Sequence, residues 1–221
     1  MSPIRVLIGP DAPLREVYAA PEGPWLRANM ISTVDGASAG PDGMSGSINT
    51  PADRVVFDLL RELCDAIVVG AGTLRAEHYR PNPKPVVIVS RSGEVPDGVV
   101  GPGSGPVLLA TCSAADGLLA STELLGADNV MVLGSHRVDL ARLRAELVDR
   151  GYHHLLSEGG PRLLRDLLDQ GCVDEVDTTT SPRLVCGNHP RITDGTPVDV
   201  PLRLATLVEQ DGTLLARWTT S

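Results

Sequence analysis

The chain has 221 residues, 42% of them hydrophobic, and a formal net charge of −9. Such a length buries a substantial core, which excludes a disordered chain. The acidic balance repels polyanions and argues against nucleic acid and anionic membranes as partners, and no span approaches the ~20 apolar residues of a membrane helix.

Aromatic residues are only 3% of the chain, with a single phenylalanine, Phe57. The core therefore has to come from Val, Leu, Ile and Ala, which suits parallel strands covered by helices on both faces. The start, Met1-Ser2-Pro3-Ile4-Arg5, lacks the regions of a signal peptide, so a cytoplasmic location is expected. Cys64, Cys112, Cys172 and Cys186 form no C-x-x-C pair and have no histidine at zinc spacing. They read as buried free thiols, and no metal site is expected. Lys84, the only lysine, sits between prolines, a poor setting for Schiff-base chemistry.

In chain order, residues 1–24 are proline-rich and read as an extended lead-in to a domain over 25–221. Trp25 to Val34 reads as a strand ending at the turn dipeptide Asp35-Gly36. Ala37 to Asn49 is rich in Gly and Ser and reads either as a mobile loop covering a ligand or as a surface hairpin. Thr50-Pro51-Ala52-Asp53 reads as a helix start, with Thr50 as cap, Pro51 in the first turn and Asp53 at the positive end of the dipole. Val55, Val56, Leu59, Leu60 and Leu63 then mark one helical face. Strands follow at Ala66–Val69, Pro85–Val89, Pro106–Thr111, Val130–Leu133 and His154–Ser157. Helices are expected after Ser113, over Leu140–Arg150 and over Arg162–Gln170. Val173–Thr180 and Ala205–Trp218 look like antiparallel strands, with a turn at Asp211-Gly212. Alternating strands and helices imply a three-layer αβα fold, with a mostly parallel mixed sheet and antiparallel C-terminal strands.

Two strand ends run into glycine loops, Val69-Gly70-Ala71-Gly72-Thr73 and Glu158-Gly159-Gly160-Pro161. Glycines there let the backbone approach a pyrophosphate, and the helix that follows presents free N–H groups. A tight strand-to-helix turn without a ligand is the alternative for each. Pro161 fits the first position of a helix, where its missing N–H has no helical partner. Ser90-Arg91 follows the next strand, and Arg91 stands 19 residues beyond Gly72. That is close to the ~20 expected of the residue that meets the adenosine ribose, where a basic group accommodates the 2′-phosphate of NADP.

Asn29 to Gly36, Leu60-Arg61, Asp65 to Thr73 and Ser157 to Pro161, in this order, resemble the reductase domain of riboflavin-biosynthesis deaminase/reductase proteins. The resemblance covers roughly residues 25–218. It implies the dihydrofolate-reductase-like fold, NADPH as cofactor, and reduction of a ribosylamino-pyrimidine phosphate at C1′ of the ring-opened ribose. For 5-amino-6-(5-phosphoribosylamino)uracil the product carries a ribityl chain. It also implies a homodimer joined through the C-terminal strands. Gly70, Gly72, Thr73, Glu77, Ser90, Arg91, Gly159, Gly160, Pro161, Leu163 and Leu164 match cofactor-side positions. Asn29, Ser45, Ser47, Arg61 and Glu158 match positions near substrate or nicotinamide. Arg61 suits a substrate phosphate, or else pairs with Asp58 or Asp65 on its helix. Asp35 is expected to hydrogen-bond the pyrimidine or help move a proton, with Glu158 as the other catalytic carboxylate, although Asp35 also fits a plain Asp-Gly turn.

Some positions depart from the family pattern. Asn29 stands where lysine is frequent, and the family's second phosphate-binding arginine has no clean match, leaving Arg80 or Lys84 as replacements. No H-x-E with P-C-x-x-C occurs, so no zinc deaminase is expected. Two rivals stay open: a reductase of this fold acting on another heterocycle such as dihydrofolate, and a non-catalytic nucleotide-binding protein.

Overall fold

The computed structural model describes residues 2–220. In chain order the elements are β1 (Arg5–Ile8), α1 (Leu14–Val17), β2 (Trp25–Thr33), a 3-10 turn (Ser45–Ile48), α2 (Pro51–Leu63), β3 (Ala66–Gly70), α3 (Ala71–Ala76), β4 (Val86–Val89), β5 (Val107–Thr111), α4 (Leu118–Leu125), β6 (Val130–Val132), α5 (Leu140–Asp149), β7 (His154–Ser157), α6 (Pro161–Asp169), β8 (Glu175–Ser181), β9 (Leu202–Gln210) and β10 (Thr213–Thr220). The ten strands form one sheet in the order β1-β9-β10-β8-β2-β7-β3-β4-β5-β6.

Side-chain alternation in the central strands builds the three layers. Ala66 and Val68 of β3 join Val87, Leu108 and Leu155 against α5 and α6. Ile67 and Val69 join Ile88, Leu109 and Leu156 against α2 and α3. The central strands are thus apolar on both faces, as parallel strands under two helix layers must be. Leu156 is fully buried, and truncating such a leucine to alanine costs about 2–5 kcal/mol.

Helix α2 starts as its sequence predicts: Thr50 Oγ1 accepts from Asp53 N at 3.2 Å, with Pro51 in the first turn. Its buried face is Ala52, Asp53, Val56 and Leu60, while Val55 is exposed. The core stripe therefore lies one position round from the predicted one, and it carries a carboxylate.

Strand β8 runs parallel to β2 and antiparallel to β10, so it joins the two halves of the sheet. The expected antiparallel pairing accounts for one of its edges only. The α6 crossover returns the chain to the same end of the sheet, which makes β8 parallel to β2.

The N-terminal segment is tied into this sheet. β1 pairs antiparallel with β9, and α1 lies over a buried ionic cluster. Glu175, with no exposed surface, bridges Arg27 at 3.2 Å and Arg217 at 2.6 Å. Arg27 Nη1 donates to Tyr18 O at 2.9 Å, and Arg217 donates to Val17 O. Both carbonyls close the last turn of α1, where a cation is favourable. Burial and the neighbouring Glu175 push the Asp177 carboxyl well above the usual range. Cys64, Cys112 and Cys172 are buried as expected, whereas Cys186 is exposed in the loop after β8.

Candidate active site

The direction of winding reverses between β3 and β7, which are neighbours in the sheet. The chain leaves β3 through α3 on one face and leaves β7 through α6 on the other. Crevices of this kind, at the C-terminal ends of parallel strands, are where ligands bind in open α/β sheets. A cleft of about 1420 Å³ opens there. Single small-molecule pockets run to roughly 300–1,000 Å³, so this cleft has room for two ligands. Eight arginines line it against six carboxylates, a formal excess of two positive charges in a chain of net charge −9. The cleft therefore attracts anions that the rest of the surface repels.

The two glycine loops meet. Gly70 N donates to Gly159 O at 2.8 Å, and Glu158 N donates to Val68 O at 3.1 Å. A Cβ on Gly160 would stand 2.3 Å from Thr73 Oγ1, so any larger residue there would force the Thr73 hydroxyl aside where the loops meet. A Cβ on Gly72 would meet no protein atom within 4 Å, leaving that backbone open on the cleft wall. Gly70 and Gly160 are the N-caps of α3 and α6, so both helices begin at the cleft. Ser90 and Arg91, at the end of β4, line the cleft too, and Arg91 makes no ion pair among the described residues. Arg137, from the loop after β6, reaches the same wall, an addition that sequence spacing did not signal.

On the other side of the loops, Arg61 from α2 and Glu158 pair in a two-pronged ion pair. Nε meets Oε1 at 2.6 Å and Nη2 meets Oε2 at 2.8 Å. Tyr79 joins them: its hydroxyl accepts from Arg61 Nη2 at 3.0 Å and donates to Glu158 Oε2 at 3.2 Å. Burial, then the Glu158 charge, hold the Tyr79 hydroxyl protonated far above neutrality. The guanidinium also lies 4.2 Å from the Phe57 ring centroid. Arg61 thus pairs with neither Asp58 nor Asp65. Its Nη1 makes no hydrogen bond among the described residues, and both Arg61 and Glu158 line the cleft.

Of the residues singled out from the sequence, Asn29, Ser45, Arg61, Gly70, Gly72, Thr73, Glu77, Ser90, Arg91, Glu158, Gly160, Pro161 and Leu163 all line the cleft. Four do not. Leu164 is buried in the core under α6. Gly159, at φ +73, passes Met30 and bonds Gly70. Ser47 bonds Asp42 Oδ1 at 2.6 Å within its own loop. Asp35 is exposed and latches a second loop, accepting from Thr33 Oγ1, from Val185 N at 3.2 Å and from Cys186 N at 2.7 Å. Those bonds, Thr33 first, hold its carboxyl below the usual range, which makes it a poor proton donor.

The segment 37–49 is a packed wall, with Ala37, Ala39 and Ile48 buried. Glu77 ties it to α3 by accepting from Ser45 N at 2.9 Å. Arg183 Nη1 donates to Ser47 O, and Ser38 N donates to Pro190 O at 2.8 Å, so the 183–190 loop closes the same side. Lys84 lies away from the cleft, where its Nζ donates to Glu62 O and Cys64 O at the end of α2, so of the two proposed replacements only Arg80 is on the wall. The sequence reading passed over Asp53 and Asn49, which also line the cleft.

The RibD C-terminal domain family matches residues 24–215. The chain belongs to this family. It is 32% identical over 188 residues to the 2,5-diamino-6-ribosylamino-4(3H)-pyrimidinone 5′-phosphate reductase of Methanothermobacter thermautotrophicus, covering 80% of this chain and 86% of that one. The protein of the same name from Archaeoglobus fulgidus is 28% identical, covering 78% and 87%. Among solved structures, a pyrimidine reductase-like protein from Corynebacterium diphtheriae superposes with a TM-score of 0.76 at 23% identity, covering 90% of this chain and 92% of that one. The dihydrofolate-reductase-like fold implied by the resemblance is the fold of this RibD-family chain.

Proposed function

We propose that the chain is an NADPH-dependent reductase of riboflavin biosynthesis, acting on a ribosylamino-pyrimidine 5′-phosphate. The observation that carries this reading is the meeting of the two glycine junctions, Gly70 N on Gly159 O, at the floor of an arginine-rich cleft. Gly70, Gly72 and Thr73 on one side and Gly160, Pro161 and Leu163 on the other suit a pyrophosphate and its ribose. Ser90 and Arg91 suit the 2′-phosphate, since a guanidinium pairs bidentately with phosphate oxygens. When bound, NADPH supplies the hydride that reduces the imine carbon C1′ of the ring-opened ribose.

The protein's part is placement and charge. Glu158 and Tyr79 orient Arg61 so that Nη1 is left for an anionic oxygen of the substrate. Asn29 and Ser45 line the side of the cleft toward β2. From β4 to β2 the sheet spans three strand spacings, about 14 Å at the usual spacing. That span separates the Arg91 end from the Asn29 end and suits a dinucleotide abutting a second ligand.

We also infer a homodimer. Ile8, Leu202 and Leu214 are exposed along the sheet face opposite Val208 and Leu215, and hydrophobic residues on an open sheet face favour association. No helix among the described residues is long and apolar enough to cross a membrane, and the proposed location is cytoplasmic.

The test is direct binding and turnover. The purified protein is expected to bind NADPH more tightly than NADH and to oxidise it with a ribosylamino-pyrimidine phosphate but not with dihydrofolate. Arg91→Ala should weaken NADPH about 10-fold or more and leave NADH within 2-fold. Equal loss for both cofactors removes the 2′-phosphate role; turnover with dihydrofolate alone gives the site to the rival substrate.

A further inference from the structure

Asp53 stands on the buried face of α2, is 4% exposed, and lines the cleft. Thr50 caps the helix, so the Asp53 side chain is not needed for that task. Its neighbour Arg54 is paired with Asp58 at 3.2 Å, and no cation lies within ion-pair distance of Asp53 among the described residues. The Thr179 hydroxyl of β8 is its side-chain donor, and burial raises its carboxyl above the usual range. A carboxylate buried without a cation is costly, and such groups concentrate where a ligand completes their bonding. Asn49 lines the same cleft and keeps Oδ1 buried with no hydrogen-bond partner. Asp53 stands on α2 with its Thr179 partner on β8, next to β2, whereas Arg91 follows β4, on the far side of β7 and β3. This end therefore offers Asn49 Oδ1, which lacks a donor, and an Asp53 carboxylate that has the Thr179 hydroxyl but no cation.

Two related pyrimidines differ at this kind of edge. A 2-amino-4(3H)-pyrimidinone presents N3–H and the 2-amino group side by side, two donors that a carboxylate accepts together. The corresponding uracil presents N3–H beside the C2 carbonyl, whose oxygen would face a carboxylate oxygen. We propose that Asp53 reads the pyrimidine, accepting from its N3–H and 2-amino group, and so selects the 2-amino substrate over the deaminated uracil. This rests on the reductase reading above and narrows its substrate. It also orders the chemistry: the reaction that hydrolyses the 2-amino group to a carbonyl acts on the product of this chain.

The experiment compares kcat/KM for 2,5-diamino-6-ribosylamino-4(3H)-pyrimidinone 5′-phosphate and for 5-amino-6-(5-phosphoribosylamino)uracil. Wild type, Asp53→Asn and Asp53→Ala are assayed, with NADPH affinity and Tm measured on each. Wild type is expected to favour the diamino substrate about 100-fold. Asp53→Ala should lose about that factor on it and change the uracil less than 3-fold, with NADPH affinity unaltered. Asp53→Asn, which offers one donor and one acceptor, should turn the preference toward the uracil. Competition on the wild-type protein by free 2-amino-4(3H)-pyrimidinone against free uracil needs no variant and should favour the former. A wild type that reduces both substrates equally, or an Asp53→Asn variant that loses both alike, overturns the assignment and leaves the reductase reading intact. A wild type that binds no NADPH and reduces neither substrate sinks both.

Discussion

The ion pair between Arg61 and Glu158 carries a prediction that separates positioning from binding. Glu158 has 8% of its side chain exposed and Arg61 25%. Breaking a fully buried pair by removing one partner costs about 3–5 kcal/mol, because the other charge is left uncompensated. The partial exposure of Arg61 lets water reach the orphaned carboxylate, so about 2–3 kcal/mol is expected for Arg61→Ala, including the lost contact with Phe57. For a chain of this size that is roughly 4–12 °C in Tm. Glu158→Gln alone should show a similar loss, since Arg61 then keeps only neutral partners. The double variant should lose less than the sum of the two, with a coupling of about 1–2 kcal/mol. Thermal unfolding of the four proteins measures the cycle, and KM for the phosphorylated substrate is read on the same samples. Because Glu158 orients the guanidinium, Glu158→Gln should raise KM as Arg61→Ala does. Additivity within about 0.5 kcal/mol would refute the pairing as a structural unit. A normal KM in Glu158→Gln would refute its role in aiming Arg61.

Two further outcomes follow from the loop geometry. Gly160→Ala places a methyl 2.3 Å from Thr73 Oγ1 and should cost about 1–3 kcal/mol in thermal unfolding and weaken NADPH binding; adding Thr73→Ala should recover much of the stability, and no recovery would place the strain elsewhere. Asp35, its carboxyl held low by Thr33, Cys186 and Val185, keeps its latch at full strength above the ordinary aspartate range and loses it as pH falls through the lowered value. Limited proteolysis of the 183–190 loop should therefore stay flat from neutrality down to about pH 4 and rise only below it, whereas Asp35→Ala should be cut at the high rate throughout. A rise already at pH 6 would refute the Asp35 latch.

Much of the fold was legible locally. Runs such as Ala66–Val69 and His154–Ser157 are short, apolar and bounded by glycine loops, and each became a central strand. Thr50-Pro51 and Gly160-Pro161 announce helix starts because capping is a local property of three or four residues. The glycine loops were legible for the same reason: a strand-to-helix junction and its N–H groups sit within five residues.

What the tertiary structure alone decided concerns pairs distant in the chain. Arg61 and Glu158 are 97 residues apart, and no spacing rule connects them. Asp35 was expected at the substrate but holds the loop after β8, because Val185 and Cys186 arrive from 150 residues away. Asp53 read as a helix-start acid, since an acid in a first turn is sufficiently explained by the helix dipole. Only the packing of α2 against the sheet turned that acid inward, onto the cleft wall. Sequence by itself determined the central strands and helices, though not β1 and α1 within residues 1–24, and where the backbone can approach a phosphate. Which charged side chains meet, and which are left facing the cleft without a partner, depended on how the crossovers stack those segments, a long-range outcome that no local preference encodes.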